Sequence, residues 1–524
     1  RRSARMRLSS TLALLAGCAA APNGPATERE LLPGDGVSQD IVFGGWDAVK
    51  SAGPPEELAG LRSAMARGLR IVALGCSITA NFGGCYGEGC LPVRAEAQGQ
   101  VRIGTGRFHM MPNWPHGFLF DFIKLVNMSH PGQPHSLINM ASGGSSGLWE
   151  KSCLDSLVPD GEADLVVIEF AITSGDVEAT VENHRELLSL LRAYKQPPFV
   201  VLMLNFFWCV DDEGRAANTL ALPGGRKAQE ALCTPGDDAA RAARAQRVQN
   251  TVQQKLEALG VACGVAVLSV FDELAPHVAR GELRLHDITV DGFHPPIFPS
   301  IHDVEARSPM HSAWTAALAR WFDTIHGKAP PTPEVEDPGV ALRHSSTLLN
   351  LRSGVALAER TSCAEPQQRP RHGRCYGLTH RLPEPDFALL DGWKLVNDAK
   401  FKPGFERFVP PKMGWASQRA GAALRFRVGE PGGALEVEMF FLHSYSGVGA
   451  VRFSCVACEC AVPPMDESGK QQPDFTYSTR WRETYSGPRA VRLQLNATDG
   501  AGCMVQLTAL SAERVKLLSL SVRR

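Results

Sequence analysis

The segment Arg70 to Thr79, R-I-V-A-L-G-C-S-I-T, decides how the first half of the chain is interpreted. Its apolar run, residues 71–74, is closed by Gly75, which is typical of a strand buried on both faces of a parallel sheet. Glycine allows the backbone to turn sharply at that point. Ser77 then follows at the carboxyl end of the strand, where open α/β sheets bind their ligands. The segment therefore predicts a first strand with Ser77 as a candidate nucleophile, and a hydroxyl that caps the next helix is the alternative.

Strands and helices alternate outward from this segment. Continuous apolar runs of strand length predict further buried strands, and apolar residues at helical spacing predict helices between them. The predicted strands are Ser136–Met140, Asp164–Phe170, Pro198–Phe206 and Gly264–Val270, and the predicted helices are Pro54–Arg67, Trp114–Met128, Val181–Ala193, Asp238–Leu259 and Ser312–Ile325. This alternation predicts an α/β domain with a parallel, doubly wound sheet, which we place at residues 55–327.

The pattern changes after residue 385. Short runs in which apolar and polar residues alternate, such as A-L-R-F-R-V from Ala423, are separated by glycine and proline turns. Period-two alternation of this kind predicts an antiparallel β-sandwich over residues 386–524. Residues 328–385 are predicted to be a linker, and residues 22–54 an irregular lead-in. Four aromatic residues of the sandwich have two interpretations, core packing or a face that stacks on sugars: Trp393, Trp415, Tyr445 and Trp481.

The N-terminus is predicted to be a signal peptide, residues 1–21. Arginines precede an apolar run that ends in small residues, and the run is too short to span a bilayer comfortably. The tetrad Leu15-Ala16-Gly17-Cys18 also resembles the lipobox of bacterial lipoproteins, which is the alternative to simple secretion. We therefore expect a secreted protein without stable insertion into a membrane.

The 14 cysteines fit a secreted protein, in which cysteines form disulfides. Their spacing predicts the pairs Cys85/Cys90, Cys209/Cys233 and Cys363/Cys375, and a cluster of Cys455, Cys458, Cys460 and Cys503. Zinc binding by that cluster is the alternative to disulfides. Acceptor triplets for N-glycosylation begin at Asn127 and Asn496, so the chain is also predicted to be a glycoprotein.

The composition of the chain limits its partners. A length of 524 residues suggests about two or three domains, and the net charge is −1. Because no basic surplus exists to bind phosphate, we expect no nucleic-acid partner.

A candidate base for Ser77 lies late in the predicted α/β domain, in Asp291-Gly292-Phe293-His294. A serine nucleophile needs a base to take its proton and a third group to orient that base. A carboxylate shortly before a histidine binds one ring nitrogen and leaves the other available to the serine. Metal binding by His286, Asp287, Asp291 and His294 is the alternative, and the lack of zinc-like spacing disfavours it. We expect neither a metal nor a cofactor.

Together these segments resemble the SGNH hydrolases, or GDSL esterase/lipase superfamily, whose first block is Gly-Asp-Ser and whose last is Asp-x-x-His. The corresponding blocks here are Gly75-Cys76-Ser77 and Asp291 to His294. The resemblance covers about residues 68–325 and implies a flavodoxin-like, three-layer α/β/α fold. It also implies that Ser77 is the nucleophile, His294 the general base and Asp291 the group that orients the histidine.

The middle blocks of that superfamily supply the oxyanion hole. Residues 139–144 resemble the second block, which implies that Gly144, or Gly143 beside it, donates a backbone N–H to the oxyanion. In the third block, Thr173 stands where the family has an asparagine, and Ser174 stands at the neighbouring position. Losing one oxyanion donor costs about 3 kcal/mol, or about a hundredfold in rate. The hydroxyls of Thr173 and Ser174 are therefore candidates to replace the asparagine in part.

These residues predict a secreted serine esterase that acts on a small ester or an acylated glycan, with O-acetyl groups as the favoured target. Two alternatives remain. An O-acyltransferase would use the same triad with a sugar hydroxyl in place of water. A carbohydrate-binding protein without catalysis is suggested by Thr173 and by Cys76, which stands where the family has aspartate.

Overall fold

The computed structural model describes residues 43–76, 78–79, 118–141, 147–170, 177–205, 209–210, 216–217, 251–279, 282–283, 288, 309–328, 363, 374–377, 385–397, 413–428, 434–443, 447–460, 475–480, 487–496 and 503–523. They form two compact units, an α/β unit up to residue 363 and a β unit from residue 374 onward.

The α/β unit is built on a six-stranded sheet. Its strands are β1 Val49–Ser51, β2 Arg70–Gly75, β3 Ser136–Asn139, β4 Leu165–Glu169, β5 Phe199–Leu204 and β8 Ala266–Ser269; a separate short pair is β6 Cys209–Val210 and β7 Ala216–Ala217. The order in the sheet is β1-β8-β5-β4-β2-β3, and all neighbours are parallel except β1, which is antiparallel to β8. The predicted parallel sheet is therefore confirmed, with one antiparallel edge strand added.

Helices cover both faces of this sheet. They are α1 Pro55–Arg67, α2 Phe118–Ser129, α3 Leu148–Ser152, α4 Leu154–Leu157, α5 Val177–Arg192, α6 with residues 251–262 described, α7 Val270–Ala279 and α8 Pro309–Ile325. α1, α2 and α7 pack on α8, whereas α3 packs on α5. The connection from β2 to β3 passes through α2, and the connection from β4 to β5 passes through α5. These two connections run in opposite directions along the sheet, so right-handed crossovers place α2 and α5 on opposite faces. The predicted three-layer α/β/α fold is confirmed.

The apolar run of the opening segment forms the buried centre of the sheet. Residues 71–74 are at most 3% exposed, because β2 lies between β3 and β4 and is covered by helices on both faces. β4, β5 and β8 are buried along their whole length for the same reason. Continuous apolar strands of this kind fit only the interior of a sheet that is covered on both sides.

Several elements of the α/β unit were not predicted from the sequence: β1, α3, α4, α7 and the pair β6 and β7. β1 falls in the predicted irregular lead-in, because three residues are too few for a periodic signal. α7 follows β8 directly and contains Pro276, which normally disfavours a helix interior. β1 and α7 both border the carboxyl end of β8.

The β unit is an antiparallel sandwich, as predicted. A five-stranded sheet contains β10 Phe387–Asp391, β13 Ala423–Arg427, β15 Ala450–Val456, β17 Thr476–Ser478 and β19 Met504–Ala509. The other sheet contains β9 Arg374–Gly377, β11 Lys394–Asn397, β12 Met413–Ser417, β14 Ala434–His443, β16 Glu459–Cys460, β18 Gly487–Asn496 and β20 Val515–Arg523. One hydrophobic core lies between them. β9 lies within the predicted linker and pairs with β20.

Two of the four aromatic candidates belong to the core of the sandwich. Trp393 and Trp415 are 4% and 3% exposed, so neither presents a ring for a sugar. The core interpretation is confirmed for both. Tyr445 and Trp481 lie outside the described residues.

The disulfides confirm part of the cysteine prediction and correct another part. Cys455 pairs with Cys460 and Cys458 pairs with Cys503, so the cluster forms disulfides rather than a zinc site. Cys363 pairs with Cys263 rather than with Cys375, so the predicted pair Cys363/Cys375 is wrong. The predicted pair was based on closeness in sequence, whereas disulfide pairing depends on closeness in space. Cys153 and Cys375 are also disulfide-bonded; Cys85, Cys90 and Cys233 lie outside the described residues, as does the side chain of Cys209.

Candidate active site

The predicted catalytic residues lie outside the described residues, but the strands that lead to them are described. The six are Ser77, Gly144, Thr173, Ser174, Asp291 and His294. Ser77 comes shortly after β2, Gly144 after β3, and Thr173 and Ser174 after β4. Asp291 and His294 lie between α7 and α8.

The strands that precede three of the four predicted blocks are neighbours in the sheet. β2 lies between β3 and β4, and the three strands are parallel, so their carboxyl ends meet at the same edge of the sheet. We call this the carboxyl edge. Ligands of open α/β sheets bind at this edge. The strands that precede the predicted nucleophile block and both predicted oxyanion blocks therefore end side by side.

A buried hydrogen-bond network surrounds the position of Ser77. Glu169, at the end of β4, accepts hydrogen bonds from the hydroxyl and the backbone N–H of Thr79, at 2.7 and 3.2 Å from its Oε2. The thiol of Cys76 lies 3.4 Å from both oxygens of the same carboxylate. The N–H of Cys76 also donates to the carbonyl of Glu169, at 2.9 Å. All three residues are fully buried. Glu169 therefore binds the residues on both sides of Ser77.

The neighbouring strand on the other side holds the same segment. The side-chain amide of Asn139, at the end of β3, donates to the carbonyl of Thr79 at 2.6 Å. Its Oδ1 accepts from the N–H of Ala141 at 3.0 Å, which orients the amide. Thr79 is thus bound to both β3 and β4, and Cys76 to β4. We call residues 76–79 the nucleophile segment, after the predicted role of Ser77.

The space around the end of β2 is too small for any side chain, so residue 75 must be glycine. A Cβ atom at this position would lie 2.5 Å from the carbonyl oxygen of Glu169 and 2.6 Å from the side chain of Thr79. The sequence suggested glycine for its freedom to turn, but Gly75 is not among the described residues with positive φ. The physical reason is the close approach of β4 and of the nucleophile segment.

A buried histidine lies beside the two oxyanion blocks. His184, on α5, donates from Nδ1 to the carbonyl of Thr180 at 2.8 Å and packs edge-on against Phe170, 5.3 Å between ring centroids. Gly147 approaches the same ring, since a Cβ there would lie 3.5 Å from its Cε1. Burial lowers the pKa of His184 to about 4, although the bond to Thr180 opposes the shift. The imidazole is therefore neutral at physiological pH.

Further polar side chains line the carboxyl edge. Asn205 ends β5, and neither its Oδ1 nor its Nδ2 has a partner within the described part of the chain. Ser269 ends β8 beside it, and its hydroxyl is likewise without a partner there. Both residues are at most 1% exposed. Buried polar groups are usually hydrogen-bonded, so their grouping at one edge is typical of a functional region.

A cleft of about 280 Å³ opens at the same edge. Trp46 and Asp47 come from the turn before β1, and Glu273 and His277 from α7. β1 runs antiparallel to β8, so the turn before β1 lies beyond the carboxyl end of β8. Burial raises the pKa of Glu273, while the hydrogen bond from the N–H of Gly45, 2.7 Å long, opposes the shift. The cleft combines an aromatic ring with carboxyl groups.

The described side chains include no cluster of three or more histidine, cysteine or acidic residues that could hold a metal ion. The alternative prediction of a metal site involves His286, Asp287, Asp291 and His294, which lie outside the described residues.

Comparison with known proteins identifies similar solved structures. No protein-family model and no curated protein matches the chain. A two-domain esterase (CEX) active on acetylated mannans is 13% identical, with a TM-score of 0.48, and the match covers 91% of this chain and 98% of that one. Axe2, an acetylxylan esterase from Geobacillus stearothermophilus, is 15% identical with a TM-score of 0.30, covering 50% and 96%. A GDSL-like lipase from Parabacteroides merdae is 11% identical with a TM-score of 0.31, covering 50% and 97%. The similar structures are thus ester-hydrolysing enzymes, including a member of the GDSL type.

Sequence reasoning did not identify Glu169, Asn139 or His184 as site residues. Glu169 carries the clearest signal, because it is a charged residue at the end of the otherwise apolar strand L-V-V-I-E. A carboxylate in a strand buried on both faces needs partners, which is a reason to search for them. His184 carries no such signal, because a histidine on a helix is usually an ordinary core or surface residue.

Proposed function

We propose that this chain is a secreted serine esterase of the SGNH type that removes O-acetyl groups from a glycan. The observation that carries the proposal is the nucleophile segment at the carboxyl edge. Its described residues, Cys76, Ile78 and Thr79, are at most 1% exposed and are held by both neighbouring strands. A serine at such a position sits on a rigid support, which accurate placement of a nucleophile requires.

The proposed reaction has two steps. The Oγ of Ser77 attacks the ester carbonyl while His294 takes its proton and Asp291 orients the imidazole. The N–H groups of Gly144 and Ser77, with a hydroxyl of Thr173 or Ser174, stabilise the oxyanion. The bond to the sugar oxygen breaks, and that oxygen takes the proton from His294. Water then attacks the acyl-enzyme and gives a proton to His294. The bond between the acetyl carbon and Oγ breaks as His294 returns that proton to Oγ, which releases acetate and free Ser77.

Two features of the described residues support the substrate and the compartment. The cleft lies beyond the carboxyl end of β8, three strand positions from β2, and it offers Asp47, Glu273 and the side of the Trp46 ring that Arg320 does not cover. These groups suit a more distant part of a sugar chain. The disulfides Cys263–Cys363 and Cys458–Cys503 are typical of an oxidising compartment. Within the described ranges, no helix is both long and apolar enough to cross a bilayer.

The test of this proposal is hydrolysis by the full chain and by its Ser77→Ala variant. We expect acetate release from p-nitrophenyl acetate and from acetylated mannan or xylan. Replacing Ser77 by alanine is expected to lower kcat/KM by at least about a thousandfold, because the nucleophile is lost. Ser63→Ala is the matched control, since Ser63 is exposed on α1, and it is expected to keep full activity.

The alternatives give different results. Transfer of acetyl to added oligosaccharide in preference to water would identify an acyltransferase. Absence of hydrolysis together with a Ser77 that a fluorophosphonate leaves unlabelled would overturn the proposal in favour of a binding protein.

A further inference from the structure

We propose that Glu169 is a positioning residue for Ser77 and supplies, from β4, the carboxylate that the first block lacks at Cys76. This inference rests on the proposed function, because it assigns a role at the same site. It concerns a residue in a different block from the nucleophile, brought next to it only by the pairing of β2 with β4.

The contacts of Glu169 define the role. Its side chain binds Thr79 through two donors and touches the thiol of Cys76, while its main-chain carbonyl binds the N–H of Cys76. Ser77 lies between these two residues in the chain. A shift of Glu169 therefore moves both ends of the short piece of backbone that carries the nucleophile.

Burial makes these bonds strong and specific. Glu169, Cys76 and Thr79 are each 0% exposed, so the described structure gives solvent no access to the carboxylate. A low dielectric strengthens hydrogen bonds between buried groups. The carboxylate accepts the hydroxyl and the N–H of Thr79 on one oxygen, which an amide in the same place would do less well.

The position of Cys76 explains why the carboxylate comes from another strand. The resemblance places aspartate there, and in this chain the thiol at that position lies 3.4 Å from the Glu169 carboxylate. An aspartate at residue 76 would bring a second carboxylate into the same dry space, and two buried like charges at that distance oppose each other. Cysteine at 76 and glutamate at 169 are therefore a compatible combination.

The experiment combines Glu169→Gln, Cys76→Asp and the double variant in the full chain. We expect Glu169→Gln to lower kcat by about 10- to 100-fold with little change in KM, because displacement of a reacting group by about 1 Å costs about a hundredfold. We expect Cys76→Asp to lower kcat as well. The double variant restores one carboxylate and is expected to recover at least about tenfold over Glu169→Gln.

A matched control separates positioning from general loss of stability. Asp164→Asn makes the same chemical change just before β4, at the opposite edge of the sheet, where Asp164 pairs with Arg70 at 2.8 Å. This control is expected to lower thermal stability and leave kcat unchanged. If Glu169→Gln does not fold, Thr79→Val removes one donor to the carboxylate while keeping its size, and it is expected to lower kcat in the same direction.

Hydrogen exchange of a peptide covering residues 70–80 gives a readout that needs no activity. Glu169→Gln is expected to increase exchange at the nucleophile segment, including the amide of Thr79, while exchange in β5 stays unchanged. An inactive wild type with this increase would overturn the proposed function and keep the positioning role. Unchanged exchange, an unchanged kcat in the single variant, or a double variant no better than Glu169→Gln would overturn the role of Glu169.

Discussion

At the scale of single residues, several buried polar groups lie at the carboxyl edge. Glu169 binds donors on the nucleophile segment, while Asn205 and Ser269 have no side-chain partner within the described ranges. Leaving a buried polar group without a partner costs about 1–3 kcal/mol. Such groups are typical of a region that binds or positions something.

His184 leads to a prediction about stability and pH. Its pKa is about 4 in the folded chain, against an ordinary value of 6.5. As the pH falls below 6.5, the unfolded chain takes up a proton at this residue and the folded chain does not, so stability is lost between 6.5 and about 4. The loss at about pH 5 is expected to be about 2 kcal/mol.

The measurement is urea unfolding of the wild type and of His184→Gln at about pH 7 and pH 5, followed by helical ellipticity. Glutamine does not titrate and still offers a donor to the carbonyl of Thr180. The variant is expected to lose less stability on acidification than the wild type. Equal losses in both proteins would contradict the effect of burial on this histidine.

At the scale of elements, the end of β2 is a tightly packed junction. Its last residue touches the backbone of β4, and the nucleophile segment that follows is bound to β3 and β4. The positions of β3 and β4 therefore determine where the nucleophile segment is held. The close contacts of the junction come from the backbone of β4 and from the side chains of Glu169, Asn139 and Thr79.

Gly75→Ala tests this junction. The added Cβ would lie 2.5 Å from the carbonyl oxygen of Glu169. This oxygen belongs to the backbone, which cannot easily move to relieve the clash. We expect a loss of about 1–3 kcal/mol in the free energy of unfolding. We also expect a fall in kcat of at least about tenfold, because the clash displaces the nucleophile segment. Chemical denaturation and ester hydrolysis measure the two effects.

Gly60→Ala is the matched control for this prediction. Gly60 is exposed within α1, and nothing lies within 4 Å of a Cβ added there. Alanine is a better helix former, so this variant is expected to gain about 0.5–1 kcal/mol and keep its activity. If the two variants had similar stability and activity, the close approach of Gly75 to Glu169 would not matter.

At the scale of the whole molecule, a long-range disulfide closes a large part of the α/β unit. Cys263 and Cys363 are separated by 100 residues, and the sequence between them includes α8 and the Asp291–His294 block. A cross-link that closes a long loop reduces the conformational entropy of the unfolded chain more than one that closes a short loop. The Cys455–Cys460 disulfide, with a separation of 5, is the short counterpart in the β unit.

Removing the long disulfide is expected to lower the free energy of unfolding by about 2–5 kcal/mol. The variant is Cys263→Ala with Cys363→Ala, and Cys455→Ala with Cys460→Ala is the control, for which a smaller loss is expected. Denaturant titration under non-reducing conditions compares them. A larger loss from the short loop than from the long one would contradict the dependence on loop length.

Much of the architecture was predictable because the signals are local. The apolar run before Gly75 and the alternating runs after residue 386 indicate buried parallel and half-buried antiparallel strands directly. β1 and α7 were missed, because one is very short and the other contains Pro276. The partner of Cys363 was wrong because no local pattern encodes which distant cysteine lies nearby.

The sequence by itself determined the two kinds of β-structure, the position of Ser77 after a buried strand, and the Asp-x-x-His candidate far along the chain. Residue type and spacing carry these features, since each depends on a few consecutive side chains. Only the tertiary structure decided that Glu169 and Asn139 hold the nucleophile segment from either side, and that Gly75 is needed for space. These contacts join residues far apart in sequence, and strand order alone brings them within hydrogen-bond distance.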